Sequence, residues 1–253
     1  MKKNKIADCK PLGIFLLIIA IFGTLVIFHR CGYYNFTPTE FVPDDYGRFN
    51  FFSYFTVQSN IFITIYLYFI SLAMLGVKKA EKVAFNPVVG VFATTYIFVT
   101  GLVYCGGIPI GLTPPFEWTD PATSMTSFIQ VFHHMIIPPL MVILWLFPYT
   151  DKKISAKVLP YAGIYPLAYS IFSIVRGKYV PCGKLYGSHF YAYPFYEPRF
   201  DYDLFFKSKP EAYTELKGYL CMIPMLIAGV ALFIGIAAIF RLIHNKRIDK
   251  MCK

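Results

Sequence analysis

Long apolar stretches alternate with short polar ones along the chain, and this pattern predicts six helices. The apolar stretches cover residues 11–28, 51–75, 87–105, 125–147, 158–175 and 219–243. An α-helix of about 20 residues crosses the ~30 Å hydrocarbon core of a bilayer. We therefore predict an all-α, polytopic membrane protein with six transmembrane helices in a single domain.

Composition supports the same interpretation. Of the 253 residues, 57% are hydrophobic and only 15% are charged, whereas a soluble domain has roughly 25% charged residues. The first apolar stretch follows a lysine-rich segment, as in a signal peptide. It is long, however, ends in His29 and Arg30, and lacks a small-x-small cleavage site. We therefore expect a retained first helix.

The charged residues predict the orientation of the chain. With the N-terminus on the cytoplasmic side, that side holds 15 of the 24 Lys and Arg residues and 4 of the 14 acidic residues. Short flanks rich in Lys and Arg face the cytoplasm, so we predict that both termini are cytoplasmic. The net charge of +10 then reflects topology and attraction to anionic lipid. Membrane lipids are the expected partners, and nucleic acid is not.

Three longer segments lie on the predicted outer side, at 29–50, 106–124 and 176–218, and all are rich in Tyr, Phe, Pro and Gly. The segment 176–218 is too long for a simple connection, and long loops often act as lids or binding elements. The outer side also holds Cys31, Cys105 and Cys182, which allows one disulfide among them. The absence of an internal repeat argues against an inverted-repeat transporter.

Polar residues at membrane depth are costly and often mark function. In the second apolar stretch Ser53, Thr56 and Asn60 are spaced by three and four residues, so they share one helical face. Gln58 and Ser59 lie off this line. The alternative interpretation is that these side chains only form hydrogen bonds between helices, as Ser, Thr and Asn commonly do in membranes.

The fourth apolar stretch carries a second polar group. Gln130 and His134 are one turn apart on one face, and His133 points about 100° away. The prolines Pro138 and Pro139 that follow interrupt the helical hydrogen bonds and predict a kink. A structural histidine or a metal ligand is the alternative, but a metal site needs three or four protein ligands. No metal or other cofactor is therefore expected.

A hydroxyl beside a buried histidine is the minimum for nucleophilic catalysis, because the histidine accepts the hydroxyl proton as the oxygen attacks an acyl carbon. In a membrane this chemistry implies a lipidic acyl substrate. Arg176 lies where it could hold a carboxylate or phosphate head group, or else it snorkels to the interface. Tyr169 either lines the same cavity or simply packs. The chain lacks the GxSxG, zinc, P-loop and dinucleotide-binding motifs.

Several segments together resemble the androgen-induced-gene/ADTRP-like family of multi-pass membrane hydrolases, and more closely its bacterial relatives labelled integral membrane regulators. The resemblance covers about residues 51–195. It is carried by Gly-Arg-Phe-Asn-Phe-Phe-Ser at 47–53, Phe-Thr-Val-Gln-Ser-Asn at 55–60, His-Met-Ile-Ile-Pro at 134–138 with Trp145, Tyr169 with Val-Arg-Gly at 175–177, and Tyr-Pro-Phe at 193–195.

This resemblance implies an intramembrane hydrolase of fatty acid esters of hydroxy fatty acids, located in the bacterial plasma membrane. The family's threonine nucleophile falls on Ser53, with Thr56 as the other candidate, and its histidine falls on His134. Asn60 or Gln130 would orient groups or donate to the oxyanion, while Arg176 would receive a carboxylate. Two alternatives stay open: a lipid- or solute-binding transporter or sensor without chemistry, and an acyltransferase that uses the same pair of residues.

Overall fold

A computed structural model describes residues 7–36, 51–109, 116–147, 150, 152–179, 193, 196 and 215–251. Helices account for the regular structure in this part of the chain, which contains no strand. The helices are α1 (Lys10–Phe36), α2 (Phe55–Met74), α3 (Lys78–Ala84), α4 (Pro87–Gly107), α5 (Pro121–Val131), α6 (Ile137–Leu146), α7 (Ile164–Tyr179) and α8 (Glu215–Met251). Short 3-10 helices span Phe51–Ser53 and Ala156–Gly163, and a π-helical turn spans Phe132–Ile136.

Six helical segments are long and apolar enough to cross a membrane, which confirms the predicted six-span, all-α membrane architecture. They are Lys10–Cys31, Phe55–Met74, Pro87–Gly107, Pro121–Leu146, Ala156–Tyr179 and Gly218–Lys250. The predicted outer segments lie partly outside the described residues, at 37–50, 110–115, 180–192, 194–195 and 197–214. Cys31 and Cys105 do not form a disulfide, and Cys182 lies outside the described residues.

Consecutive spans run in opposite directions. Thr24 of α1 hydrogen-bonds Tyr68 of α2 across 2.9 Å, and Gly13, earlier in α1, packs against Met74, later in α2. Helix α4 and the Pro121–Leu146 span are also antiparallel, because Gly101 contacts Pro138 and the later Cys105 contacts the earlier His134. The bundle therefore has two ends: the Ser53 end, which holds Ser53, Gly107 and Pro121, and the Ile154 end, which holds Met74, Ile154 and Lys250.

The Ile154 end is held together by α8. Asn245 accepts a hydrogen bond from the Ile154 amide, and its own amide donates to the Ile154 carbonyl, both at 2.9 Å. The Arg241 guanidinium donates to the same carbonyl at 2.9 Å. Trp145 donates its indole N–H to the Phe240 carbonyl at 3.1 Å. These bonds satisfy backbone groups of the loop and of α8 that would otherwise be costly to bury.

Helix α5 begins at Pro121, four residues before the predicted start of the fourth span, because of a capping box. The Asp120 carboxylate accepts from the amides of Ala122 and Thr123, and the Thr123 hydroxyl accepts from the Asp120 amide. Hydrogen bonds from Thr123 lower the pKa of the Asp120 carboxyl. The cap therefore contributes stability above the ordinary aspartate pKa, and this contribution is lost as the pH falls through the lowered value.

A local break in the fourth span positions both histidines. Pro138 and Pro139 have no N–H, so neither can donate to a carbonyl one turn earlier. The chain adopts the π-helical turn Phe132–Ile136 directly before them. The His134 carbonyl, whose α-helical donor would be Pro138, instead accepts from the Cys105 thiol at 3.8 Å. Helix α4 thus supplies a hydrogen bond that the fourth span cannot form internally.

Gly101 allows α4 to approach this break closely. A methyl group at position 101 would lie 2.8 Å from Pro138 Cγ and 2.9 Å from the His134 carbonyl oxygen. Both distances are shorter than ordinary van der Waals contacts. The contact therefore requires a residue without a side chain.

We predict that Gly101→Ala lowers stability by about 1–3 kcal/mol, as expected when an extra methyl group is forced into a packed interface. Gly106→Ala, in the same helix, is the matched control because a methyl group there has no neighbour within 4 Å. The thermal unfolding midpoint in detergent should fall for Gly101→Ala and stay unchanged or rise slightly for Gly106→Ala. Equal midpoints for the two variants would contradict the proposed close contact.

Candidate functional site

Two tyrosine hydroxyls bind the start of α2. Tyr54, the residue that precedes the helix, provides no side-chain cap. The Tyr169 hydroxyl of α7 instead accepts from the Phe55 amide at 3.0 Å and donates to the Ser53 carbonyl at 2.7 Å. The Tyr193 hydroxyl accepts from the Thr56 amide at 3.2 Å. The first amides of α2 thus find partners outside their own helix, where a cap would normally supply them.

Ser53 is buried at the end of its 3-10 helix. Thr56 is half-buried in the first turn of α2, and Asn60 is buried one turn further on. The Asn60 amide donates to the Thr56 carbonyl at 2.7 Å, so the two predicted site residues are joined. The predicted common face includes only Thr56 and Asn60, because Tyr54 has an extended backbone (ψ 131°) and separates Ser53 from α2.

His134 is buried against Tyr104 and the backbone of Gln130. Its ring stacks on Tyr104 of α4 with the centroids 3.7 Å apart and the planes 14° from parallel. Its Nδ1 lies 2.9 Å from the Gln130 carbonyl oxygen. A carbonyl oxygen can only accept, so we assign the proton to Nδ1. The other ring nitrogen, Nε2, is buried and has no hydrogen-bond partner among the described residues.

The side chain of Gln130 connects His134 to α1. Arg30 can only donate, so the Gln130 amide oxygen faces its guanidinium, at 2.8 Å from Nη2 and 3.2 Å from Nη1. This orientation places the amide nitrogen 3.2 Å from His134 Nδ1, which conflicts with a proton on Nδ1. We retain the proton because the contact to the carbonyl is shorter. Gln130 then bonds Arg30 through its side chain and His134 through its backbone.

His133 is also buried, and its Nε2 likewise has no partner in the described part of the chain. The two histidine rings lie edge to face with their centroids 6.4 Å apart. The planes of the two rings are thus nearly perpendicular. In the described ranges no group of three or more His, Cys, Asp and Glu side chains is arranged to hold a metal ion.

The predicted site residues thus fall into two groups at the Ser53 end. One group contains Ser53, Thr56, Asn60 and Tyr169, and the other contains Gln130 and His134. Within the described residues no hydroxyl forms a hydrogen bond with His134 Nε2. Arg176 is half-buried in the last turn of α7.

A chain of contacts through α4 relates the depths of the two groups. The Ser59 hydroxyl of α2 lies 2.8 Å from the Thr100 hydroxyl, and the next residue, Gly101, packs against the His134 carbonyl. Thr56 lies in α2 three residues before Ser59, whereas Ser53 lies before the extended residue Tyr54, outside the helix. Thr56 and Asn60 are therefore closer than Ser53 to the depth of His134.

Sequence reasoning missed three residues that form this site. Arg30 was interpreted only as the flank of the first span, although it follows an apolar stretch directly. Tyr104 gave no periodic signal, because it is one aromatic residue among many. Gly101 was a usable signal, since a glycine within a transmembrane helix often marks close contact between helices.

Burial also raises the pKa of Tyr196, which contacts Tyr169. The hydroxyls of Tyr196 and Ser170 lie 2.8 Å apart, and burial raises the pKa of Tyr196 to about 12. The phenol therefore stays protonated at neutral pH and keeps its hydrogen bond. Tyr169 and Tyr196 are also in edge-to-face contact, with centroids 6.3 Å apart, so both belong to one aromatic support for the start of α2.

Comparison of the chain with family models, curated proteins and solved structures gave no match. The resemblance described above therefore remains an expectation. The function has to be argued from the residues of the site.

We predict that Tyr169→Phe destabilises the protein by about 1–3 kcal/mol, because it leaves the buried Phe55 amide and Ser53 carbonyl without their partner. Tyr161→Phe is the matched control, since Tyr161 is 60% exposed. Denaturant unfolding in detergent measures the difference. An unchanged midpoint in Tyr169→Phe would show that the hydroxyl does not stabilise the start of α2.

Proposed function

We propose that this protein is an intramembrane hydrolase of lipid esters in which His134 acts as the general base. The observation that carries the proposal is the state of the His134 ring. One nitrogen donates to the Gln130 carbonyl, and the other is buried within a membrane span without a partner among the described residues. A fixed tautomer that leaves Nε2 unprotonated and able to accept a proton is what a general base requires.

The reaction would follow the usual course of acyl transfer. Nε2 accepts the proton of a serine or threonine hydroxyl while the oxygen bonds to the acyl carbon of the ester. The resulting imidazolium returns the proton to the departing alcohol oxygen as the carbon–oxygen bond breaks. Water then attacks the acyl-enzyme with the same base, and the products are an alcohol and a carboxylic acid.

Ser53 and Thr56 are the two candidates for the nucleophile. The resemblance favours Ser53, whereas the contacts through Ser59, Thr100 and Gly101 favour Thr56, because its depth is closer to that of His134. The proposed donors to an oxyanion are the amides of Asn60, which donates to the Thr56 carbonyl, and of Gln130, which lies between Arg30 and His134. Such a donor contributes about 3–4 kcal/mol in a dry site. Arg176 is the proposed partner for a substrate carboxylate.

The proposed setting is the outer half of a cell membrane, the bacterial plasma membrane, with both termini in the cytoplasm. The distribution of Lys and Arg supports this orientation, because the Ile154 end carries most of them, among them Lys152, Lys153 and Lys250. The Ser53 end then faces outward. A lipid substrate would reach the site from the outer leaflet without leaving the bilayer.

A second function is a lipid- or solute-binding transporter or sensor that uses the same polar groups without chemistry. The specific observation in its favour is that no described hydroxyl bonds to His134 Nε2. An acyltransferase would form the same acyl-enzyme and pass the acyl group to an alcohol instead of water. Identification of the acyl acceptor separates this third function from hydrolysis.

We expect a serine-reactive fluorophosphonate to label the wild-type protein covalently in membranes, since a nucleophile activated by His134 attacks its phosphorus atom. Ser53→Ala should abolish labelling if Ser53 is the nucleophile, and Thr56→Ala should do so if Thr56 is. Ser71→Ala is the control, because Ser71 is buried in α2 at the Ile154 end. Absence of labelling and of ester turnover, with lipid binding retained, would exclude the hydrolase.

We also expect His134→Ala to lower the rate of ester hydrolysis by about 10²–10⁴-fold, the usual contribution of a general base. His133→Ala is the paired variant, because its ring is equally buried but points elsewhere. The readout is turnover of a fluorogenic long-chain ester in reconstituted bilayers. A larger loss in His133→Ala than in His134→Ala would move the base to His133.

A further inference from the structure

A groove of about 500 Å³ runs between α1 and α5 at the Ser53 end. Its lining is apolar except for His29 and Ser124, and it includes Phe22 and Leu25 of α1 with Met125 of α5. Leu25 is 60% exposed and Met125 is 49% exposed, so the groove opens towards the lipid. The volume lies within the roughly 300–1,000 Å³ of pockets that hold a single small ligand.

The side chains of Arg30 and Gln130 lie next to the buried lining residues of this groove. Val26 of α1 and Ile129 of α5 are buried lining residues. Arg30 lies one turn after Val26, and Gln130 directly follows Ile129. Side chains on a helix lean towards its N-terminus, so in these antiparallel helices Arg30 and Gln130 lean towards each other. They meet at 2.8 Å, between Nη2 and the amide oxygen.

The charge of α1 and α5 beside the groove indicates which ligand fits it. Between Pro11 and Phe36, α1 contains one basic residue, Arg30, and α5 contains none. The two helices therefore carry a single permanent positive charge, which matches a monoanion; the neighbouring acidic residues Glu117 and Asp120 precede α5, and the Asp120 carboxylate caps that helix. The planar guanidinium fork binds a carboxylate through two parallel hydrogen bonds.

We propose that the α1/α5 groove binds a single-chain lipid carboxylate, with its hydrocarbon chain along Phe22, Leu25 and Phe128 and its carboxylate at Arg30. This deepens the proposed function, on which it rests for the role of the bound chain as a substrate or product. It also moves the carboxylate partner from Arg176 to Arg30. The bound head group would then lie beside Gln130, which contacts His134 directly.

The two tryptophans of the chain provide a built-in test. Trp118 lines the groove and is 56% exposed, whereas Trp145 is buried at the Ile154 end. The full-length protein in phosphatidylcholine nanodiscs is titrated with dibromostearic acid, whose bromine atoms quench nearby tryptophan. We expect saturable quenching of Trp118 at mole fractions where dibrominated phosphatidylcholine quenches little. Trp118→Phe should remove this quenching.

Variants of the charge test the head group. Arg30→Gln should raise the half-saturating mole fraction about tenfold or more, as expected for loss of a charged hydrogen bond. Arg30→Lys should give an intermediate shift, and a dibrominated stearyl alcohol should show no dependence on residue 30. Lys178→Gln is the matched control, because it removes the same charge from the same end of the bundle without touching the groove.

Three results would overturn the proposal. The first is equal quenching by the acid and by the brominated phospholipid at the same mole fraction. The second is an equal shift of the titration in Arg30→Gln and in Lys178→Gln. The third is a lysophosphatidate of the same chain length that displaces dibromostearic acid from the groove more effectively than stearate does. The titration involves no bond cleavage, so retained binding without fluorophosphonate labelling would exclude the hydrolase and leave this binding site standing.

Discussion

The need to satisfy backbone hydrogen bonds inside a bilayer governs the central part of this structure. Pro138 and Pro139 withdraw two donors from the middle of a membrane span, where water cannot replace them. A π-helical turn precedes these prolines, and the Cys105 thiol donates a hydrogen bond to the His134 carbonyl. That bond requires α4 to come close, which Gly101 permits. The orientation of the His134 ring is thus a consequence of how the span accommodates its prolines.

The same constraint operates at the start of α2, where Tyr54 provides no side-chain cap. Tyr169 and Tyr193 supply the missing acceptors, so α7 and Tyr193 are tied to the first turn of α2. The local sequence of α2 does not encode this solution, because the acceptors lie more than a hundred residues away. A loop residue such as Tyr193 therefore affects the geometry around Thr56.

Periodicity was enough to predict the six apolar helices and the shared face of Thr56 and Asn60, but not the place of Ser53, because an extended residue, Tyr54, separates Ser53 from α2. Both depend on helical geometry within one segment. The partners of these residues were not predictable, since they depend on the register between helices. The contact between Arg30 and Gln130 joins α1 to α5, and no feature of either segment specifies that pairing.

The packing of α2 against α4 also determines how the Thr56 and His134 groups lie relative to each other. Ser59 and Thr100 fix α2 against α4, and Gly101 fixes α4 against the His134 backbone, so the depth of α2 relative to His134 is set by packing. Tyr169 holds the Ser53 carbonyl at the outer edge of this arrangement. In the proposed function a substrate bound beside Arg30 would approach from between α1 and α5. Of the two candidate nucleophiles, Thr56 is the one whose position this packing fixes, because it lies in α2 three residues before Ser59, whereas the extended residue Tyr54 separates Ser53 from the helix.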